Sequence, residues 1–237
     1  MPVVALIPSA GLGKRMRAEK PKAFLRLGSL PILVRTLRIF EICPLVSEIV
    51  PVVPPGEGVQ EAEEMIRRFG LKKVLQVLPG GEERQESVWR GLTAFRGRAD
   101  WVIIHDGARP FVSPELIERT LSEARRSNAA VAALPAHETL KEISQGREVM
   151  RTLDRRQVWM IQTPQVFEFH LILNAHEQAR KDRFLGTDDA SLVERLGIPV
   201  RVVEGSRFNF KITTPEDIIL GEALLKCSSE FGDRSSE

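Results

Sequence analysis

Cysteine is scarce in this chain: 237 residues contain only Cys43 and Cys227. Two cysteines cannot make a disulfide framework or a structural zinc site. The expectation is two buried thiols in a reducing, cytoplasmic compartment. The histidines are few as well, four in all. His105, His137, His170 and His176 lack zinc-ligand spacing, and H-E-x-x-H does not occur. No G-x-S-x-G elbow is present, so Ser9 and Ser87 are poor nucleophiles. No apolar run is long enough to span a bilayer. The N-terminus lacks the basic-then-apolar pattern of a secretory signal. Charge of one sign is missing too: 34 Lys and Arg against 32 Asp and Glu leave a formal +2, with no basic block that would suit nucleic acid.

What remains is an ordinary globular composition, 43% apolar and 28% charged. Short β-branched runs at 3–7, 48–53, 73–78, 101–106 and 129–135 read as strands. Amphipathic stretches at 31–40, 58–69, 84–95 and 114–126 read as helices between them, the last opened by Ser113-Pro114. Strands separated by helices of this length predict a Rossmann-like three-layer α/β/α fold with a mainly parallel sheet. From 138 to 162 the pattern breaks. "REVMRTLDR" and "QVWMIQ" look like short strands of a protruding β-arm. Its apolar residues, among them Val149, Met150, Val158 and Trp159, need covering, and a second subunit is the expected cover. Helices resume at 167–180 and 188–195. Residues 199–205 and 209–213 are strand-like, and 214–226 is a capped helix with Thr214, Pro215 and Asp217 at its start. The expectation is a single domain over 1–226 with 138–162 as its arm, then a polar, fraying tail over 227–237.

The first strand runs into "SAGLGKRM". Gly11 and Gly13 allow close approach of a ligand to the main chain, and amides in such a turn attract anions. Lys14, Arg15, Arg17, Lys20 and Lys22 add full positive charge. The spacing is neither a Walker loop nor G-x-G-x-x-G, because Met16 stands at the third glycine position and no acidic partner follows. Ligands of open α/β sheets bind at the carboxyl ends of the strands. Those ends carry "AGLGKRM", "PGGEERQES" and "HDGARPF", and the late strand-like segment carries Lys211. Asp106 suits a magnesium ion on a polyphosphate, or else a helix cap or a partner for Arg109. Gly80, Gly81 and Ser87 suit a base edge or ribose, or else a tight turn. His105 points to the other side of its strand from Asp106 and reads as structural. Asp188 and Asp189 read as an acidic first helical turn, with a pocket-facing role as the sharper alternative.

"SAGLGKRM" with "EKPKAFL" resembles the opening of nucleotidyltransferases that activate sugar or alditol phosphates. "PGGEERQESV", "IHDGARPF", "TPQVF", "TDDASLVE" and "NFKITTPEDI" follow in order. Together they resemble the 2-C-methyl-D-erythritol 4-phosphate cytidylyltransferase family over roughly residues 3–226. The resemblance implies CTP as donor, an alditol phosphate as acceptor, Mg²⁺ as cofactor and a homodimer. Ala10, Gly11 and Gly13 then belong to the CTP loop. Arg15 and Lys22 become the triphosphate and transition-state cations. Gly81, Glu82 and Ser87 resemble the cytidine-recognising segment. Asp106 and Arg109 fall where the family handles ribose, metal and substrate phosphate. Thr139, Arg155 and Lys211 resemble the groups that grip methylerythritol phosphate, the first two from an arm that crosses to the partner.

The chain departs from the family pattern at Ala23, where glutamine is usual, at Gly107, where alanine is usual, and at Phe208, where an acidic residue is common. The chemistry implied is in-line attack of a phosphate monoester, whose second pKa is about 6 and which therefore needs no general base. Phe208 keeps a ribitol 5-phosphate cytidylyltransferase as an alternative. A non-catalytic nucleotide-binding regulator is a second, and a dehydrogenase a third, weakened by Met16.

Overall fold

The computed structural model describes residues 1–11, 13–16 and 20–232. Strand β1 (Val3–Pro8) is buried along its whole length. Its side chains alternate between two cores. Val3, Ala5 and Ile7 face one, and Val4 and Leu6 the other. A strand covered on both faces needs apolar residues at every position, which is why it reads as a continuous run.

A small hairpin of β2 (Arg26–Leu27) and β3 (Leu30–Pro31) follows, then α1 (Ile32–Ile42), β4 (Glu48–Val53) and α2 (Glu57–Phe69). Next come β5 (Leu78–Pro79), α3 (Arg84–Ala94), β6 (Trp101–Ile104), α4 (Pro114–Ser127) and β7 (Ala129–Pro135). The arm carries β8 (Lys141–Ile143) and β9 (Val149–Thr152) as an antiparallel pair. Then β10 (Trp159–Glu168), α5 (Phe169–Lys181), α6 (Asp189–Glu194), β11 (Arg201–Glu204) and α7 (Pro215–Gly232) complete the order. The central sheet runs β11-β7-β10-β6-β1-β4-β5. Leu33, Leu37 and Phe40 of α1, Ile66 of α2, and Leu116, Ile117 and Leu121 of α4 pack on one face. Val88 and Leu92 of α3, Ile172 of α5 and Leu192 of α6 pack on the other. The three-layer expectation therefore holds.

Strands β6, β1, β4 and β5 are parallel neighbours, so their carboxyl ends share one rim. Chain direction sets them apart from β10, which lies antiparallel between β6 and β7.

Four details differ from the sequence reading. The run 73–78 gives only an isolated bridge from Val74 to Ile49, followed by the two-residue β5. Lys73 instead ties this segment to α1, its Nζ donating to the Cys43 carbonyl at 2.6 Å. "TPQVF" continues the arm strand straight into the sheet as β10. Residues 209–213 are not a strand, because their polar groups pair with loops: Arg109 Nη1 donates to the Asn209 carbonyl at 2.8 Å, and the Ile212 amide to the Ala108 carbonyl at 2.8 Å. Finally, α7 runs on to Gly232, past the helix end expected at 226. Cys227 on that helix is exposed, and only Cys43 is a buried thiol. Residues 233–237 lie outside the described residues.

No helix among the described residues is long and apolar enough to cross a membrane.

Gly107 has a local explanation. A Cβ there would overlap Ser9 Oγ, which donates to the Ile7 carbonyl at 3.2 Å. The side chain missing at 107 is the space that Ser9 occupies. We expect Gly107→Ala to destabilise the protein by about 1–3 kcal/mol through overpacking. Adding Ser9→Ala should recover most of that loss, as two thermal melts would show.

Candidate active site

A cleft of about 620 Å³ opens at the shared rim. One wall is the turn after β1, with Ala10 and Gly11; the other is the turn after β5, with Gly80, Gly81 and Glu82. Asp106 forms the floor, and Lys22 and Lys211 close the side. Gly80 must lack a side chain, since a Cβ would run into Ala10 Cβ of the opposite wall. Gly13 has φ +64, and a Cβ on it would lie 2.8 Å from Lys22 Cβ. The basic loop thus folds back on itself, and buried Ala23 and Phe24 anchor the turn that presents Lys22.

Charge is concentrated at the floor. Asp106 Oδ2 lies 2.7 Å from Lys211 Nζ and 3.7 Å from Arg109 Nε, and Arg84 Nε donates to Oδ1 at 3.1 Å. Burial pushes the Asp106 carboxyl upward, but Arg84, Lys211 and Arg109 outweigh it and hold it well below the usual carboxylate range. Arg84 also reaches Asp189, with Nη1 2.7 Å from Oδ2. Lys22 is pushed down to about 8, first by burial and then by Lys211 and Arg15, with Asp106 opposing.

Of the residues singled out in the sequence, Ala10, Gly11, Lys22, Gly81, Glu82, Ser87, Asp106 and Lys211 line the cleft together. Ser87 Oγ accepts from the Gly81 amide at 3.1 Å and so shapes the glycine turn. Arg15 is exposed, yet near enough to act on Lys22. Arg17 lies outside the described residues. Arg109 sits beneath the cleft, braced against Asn209. Thr139 and Arg155 are exposed on the arm, where Arg155 Nη1 donates to the His137 carbonyl at 2.5 Å; among the described residues neither lines this cleft.

His105 is structural as expected. It is fully buried between the Arg109 carbonyl and Thr163 Oγ1, and burial lowers it to about 4. Sequence reasoning missed Arg84, though a cation placed after one strand end faces the carboxylate after another. Asp188 caps α6 by accepting from Ser191, whereas Asp189 turns inward.

Among the described residues no group of three or more His, Cys, Asp or Glu is placed to hold a metal. Both Asp106 oxygens already face cations. The described residues alone build no magnesium cage.

A glycine-walled cleft at the carboxyl ends of parallel strands, ringed by lysine and arginine, is the site of a nucleotide-handling α/β protein. The family model for 2-C-methyl-D-erythritol 4-phosphate cytidylyltransferase matches residues 3–227. The chain is 48% identical over 229 residues to the enzyme of that name from Geobacter metallireducens, covering 95% of this chain and 98% of the other. It is 46% identical over 224 residues to that from Syntrophus aciditrophicus, covering 94% and 96%. The crystal structure of the Thermus thermophilus enzyme superposes with a TM-score of 0.78 at 39% identity, covering 95% of this chain and all of that one. The 4-diphosphocytidyl-2C-methyl-D-erythritol synthase of Anaerococcus prevotii gives 0.82 at 32% identity, covering 95% and 96%. This chain belongs to the 2-C-methyl-D-erythritol 4-phosphate cytidylyltransferase family.

Proposed function

We propose that this chain transfers the cytidylyl group of CTP to 2-C-methyl-D-erythritol 4-phosphate, giving 4-diphosphocytidyl-2-C-methyl-D-erythritol and pyrophosphate. The observation that carries the reading is the placement of Lys22 and Lys211 on one side of a glycine-walled cleft of nucleotide size. The Gly80–Gly81 turn with Ser87 takes the base, and the Gly11–Gly13 loop takes the phosphates through its amides. Lys211 holds the acceptor phosphate, so that two anions are brought together against their repulsion. An acceptor oxygen attacks the α-phosphorus in line and pyrophosphate leaves opposite. Charge grows on the α-phosphoryl oxygens, where Lys22 and Arg15 stand ready to stabilise it. Mg²⁺ would be held by the CTP phosphates with Asp106 of the cleft lining, and would supply positive charge against the triphosphate. Pyrophosphate release measured with a panel of nucleotides and alditol phosphates tests the assignment. Turnover with CTP and methylerythritol phosphate is the expected result, and preference for ribitol 5-phosphate would overturn it. Phe208 lends that second acceptor no support: it is 63% exposed and, among the described residues, does not line the cleft.

The same reading places the protein in a homodimer through its arm, in a single domain over 1–226 and in the cytoplasm. Val149 is 61% exposed, Met150 64% and Met160 53%, an apolar strip that a partner's surface would cover. Two free thiols fit a reducing setting.

The position of Lys22 sets a pH dependence. The active form is protonated, and kcat/KM for CTP reports the free enzyme. Lys22 sits at about 8 there, so kcat/KM should be level below that pH and fall as pH rises through it. Above it the decline should approach tenfold per pH unit. Arginine stays charged across this range. In Lys22→Arg, whatever its absolute rate, the alkaline fall should disappear. A wild-type profile flat to about pH 10, the ordinary lysine range, would mean that the Lys22 ammonium is not held down to about 8 in the free enzyme.

A further inference from the structure

A chain of polar groups runs from the cleft lining, where Arg84, Asp106 and Lys211 stand, to the buried Asp189 and His176, which the transfer chemistry does not use. Arg84, at the start of α3, spends one nitrogen on Asp106 and another on Asp189. Asp189, whose side chain is 1% exposed, opens α6, and its Oδ1 lies 3.2 Å from Nε2 of the fully buried His176 on α5. On the other side, Asp106 Oδ2 holds Lys211. The links Lys211–Asp106–Arg84–Asp189–His176 therefore run from the cleft into the core.

Three cations, Arg84, Arg109 and Lys211, face Asp106. One carboxylate cannot satisfy three cations. Asp189 supplies the second negative charge, and it does so only to Arg84. With Arg84 held from behind, a single nitrogen is left on Asp106 Oδ1, and Oδ2 stays turned to Lys211. Without Asp189, nothing would stop the guanidinium fork from taking both oxygens of Asp106, the pairing it favours. Lys211 would then lose the contact that fixes its ammonium on the cleft wall. The segment 209–213 that carries Lys211 is not a strand: the Ile212 amide on the Ala108 carbonyl and contacts at Asn209 place its backbone, and Asp106 fixes the ammonium of Lys211.

We propose that Asp189, acting through Arg84 and Asp106, is a positioning residue for Lys211 and so for acceptor binding. The inference rests on the reading of Lys211 as the acceptor's cation.

The test is steady-state kinetics with each substrate varied in turn, on the wild type, Asp189→Asn, Arg84→Lys, Lys211→Met and the Asp189→Asn/Lys211→Met pair, alongside thermal melts. A lysine at 84 keeps the charge but cannot fork across two carboxylates. Asp189→Asn and Arg84→Lys should each raise the acceptor KM about tenfold, with the CTP KM within about twofold. Once Lys211 is gone there is nothing left to position, so Asp189→Asn should add less than about twofold on that background. A full, multiplicative penalty in the double variant would overturn the proposal. So would equal losses for both substrates that track the fall in Tm, which is what a purely structural role gives. If Asp189→Asn does not fold, Arg84→Lys, at a less buried position than Asp189, decides through the same cycle. If Lys211→Met spares the acceptor KM, it is the reading of Lys211 that fails. The coupling is then judged in whichever constant Lys211 does control.

Discussion

Lys22→Ala is expected to lower kcat by about 10²–10³-fold while the CTP Michaelis constant moves far less. The magnitude is that of removing one donor aimed at developing transition-state charge, about 3 kcal/mol. The structure gives three reasons to place Lys22 in that role. Its ammonium is partly buried, beside Lys211 and Arg15, and is held down to about 8, so it stands poorly compensated until negative charge arrives. Its backbone is anchored, because Gly13 packs against its Cβ and the next two residues are buried. It also lines the same cleft as Lys211, the cation proposed for the acceptor phosphate. A poorly compensated cation gains most when charge is greatest, and that is in the transition state rather than in bound CTP. Unchanged turnover with a raised CTP Michaelis constant would assign Lys22 to ground-state binding instead.

The parts of this molecule that were legible in sequence are those governed by local pattern. The buried strands β1, β4, β6 and β7 show as apolar runs, and α4 announces itself through Ser113, whose Oγ accepts from the Leu116 amide at 3.2 Å. The glycine turns and the lysines of the cleft were visible because their chemistry lies in short segments. What was not legible depends on partners distant in sequence. The second half of β10 has polar residues where a central strand should be apolar. Gln165 is nevertheless buried, because its amide nitrogen donates to Asp188 at 2.8 Å and its oxygen accepts from the Ala190 amide at 3.1 Å. Lys211 reached the cleft without the strand expected to carry it. Arg84 and Asp189 looked like a helix start and an acidic first turn, and only the fold brings them to within 2.7 Å of each other.

The arm offers the other large effect. Arg155 and Thr139 are exposed and lie off the cleft, while β10 joins the arm to the sheet through its pairing with β7. If they serve a site, it is the partner's. Arg155→Ala should therefore be nearly inactive, as Lys22→Ala is, yet the two should rescue each other. In a mixed dimer, one site combines both defects. The other joins an intact body to an intact arm. Random exchange makes about half the dimers mixed, each with one good site of two, so activity should return to about one quarter of wild type. If each arm served its own subunit, every site would keep one defect and mixing would restore nothing. Tagging one variant and isolating the tag-mixed dimers establishes that exchange has occurred. Mixed dimers without turnover would refute the shared site and leave the transfer reaction itself untouched. Recovery near one quarter would show that the exposed apolar strip of the arm and the two residues beyond the cleft are parts of one device: the surface that joins the subunits is also the one that completes their sites.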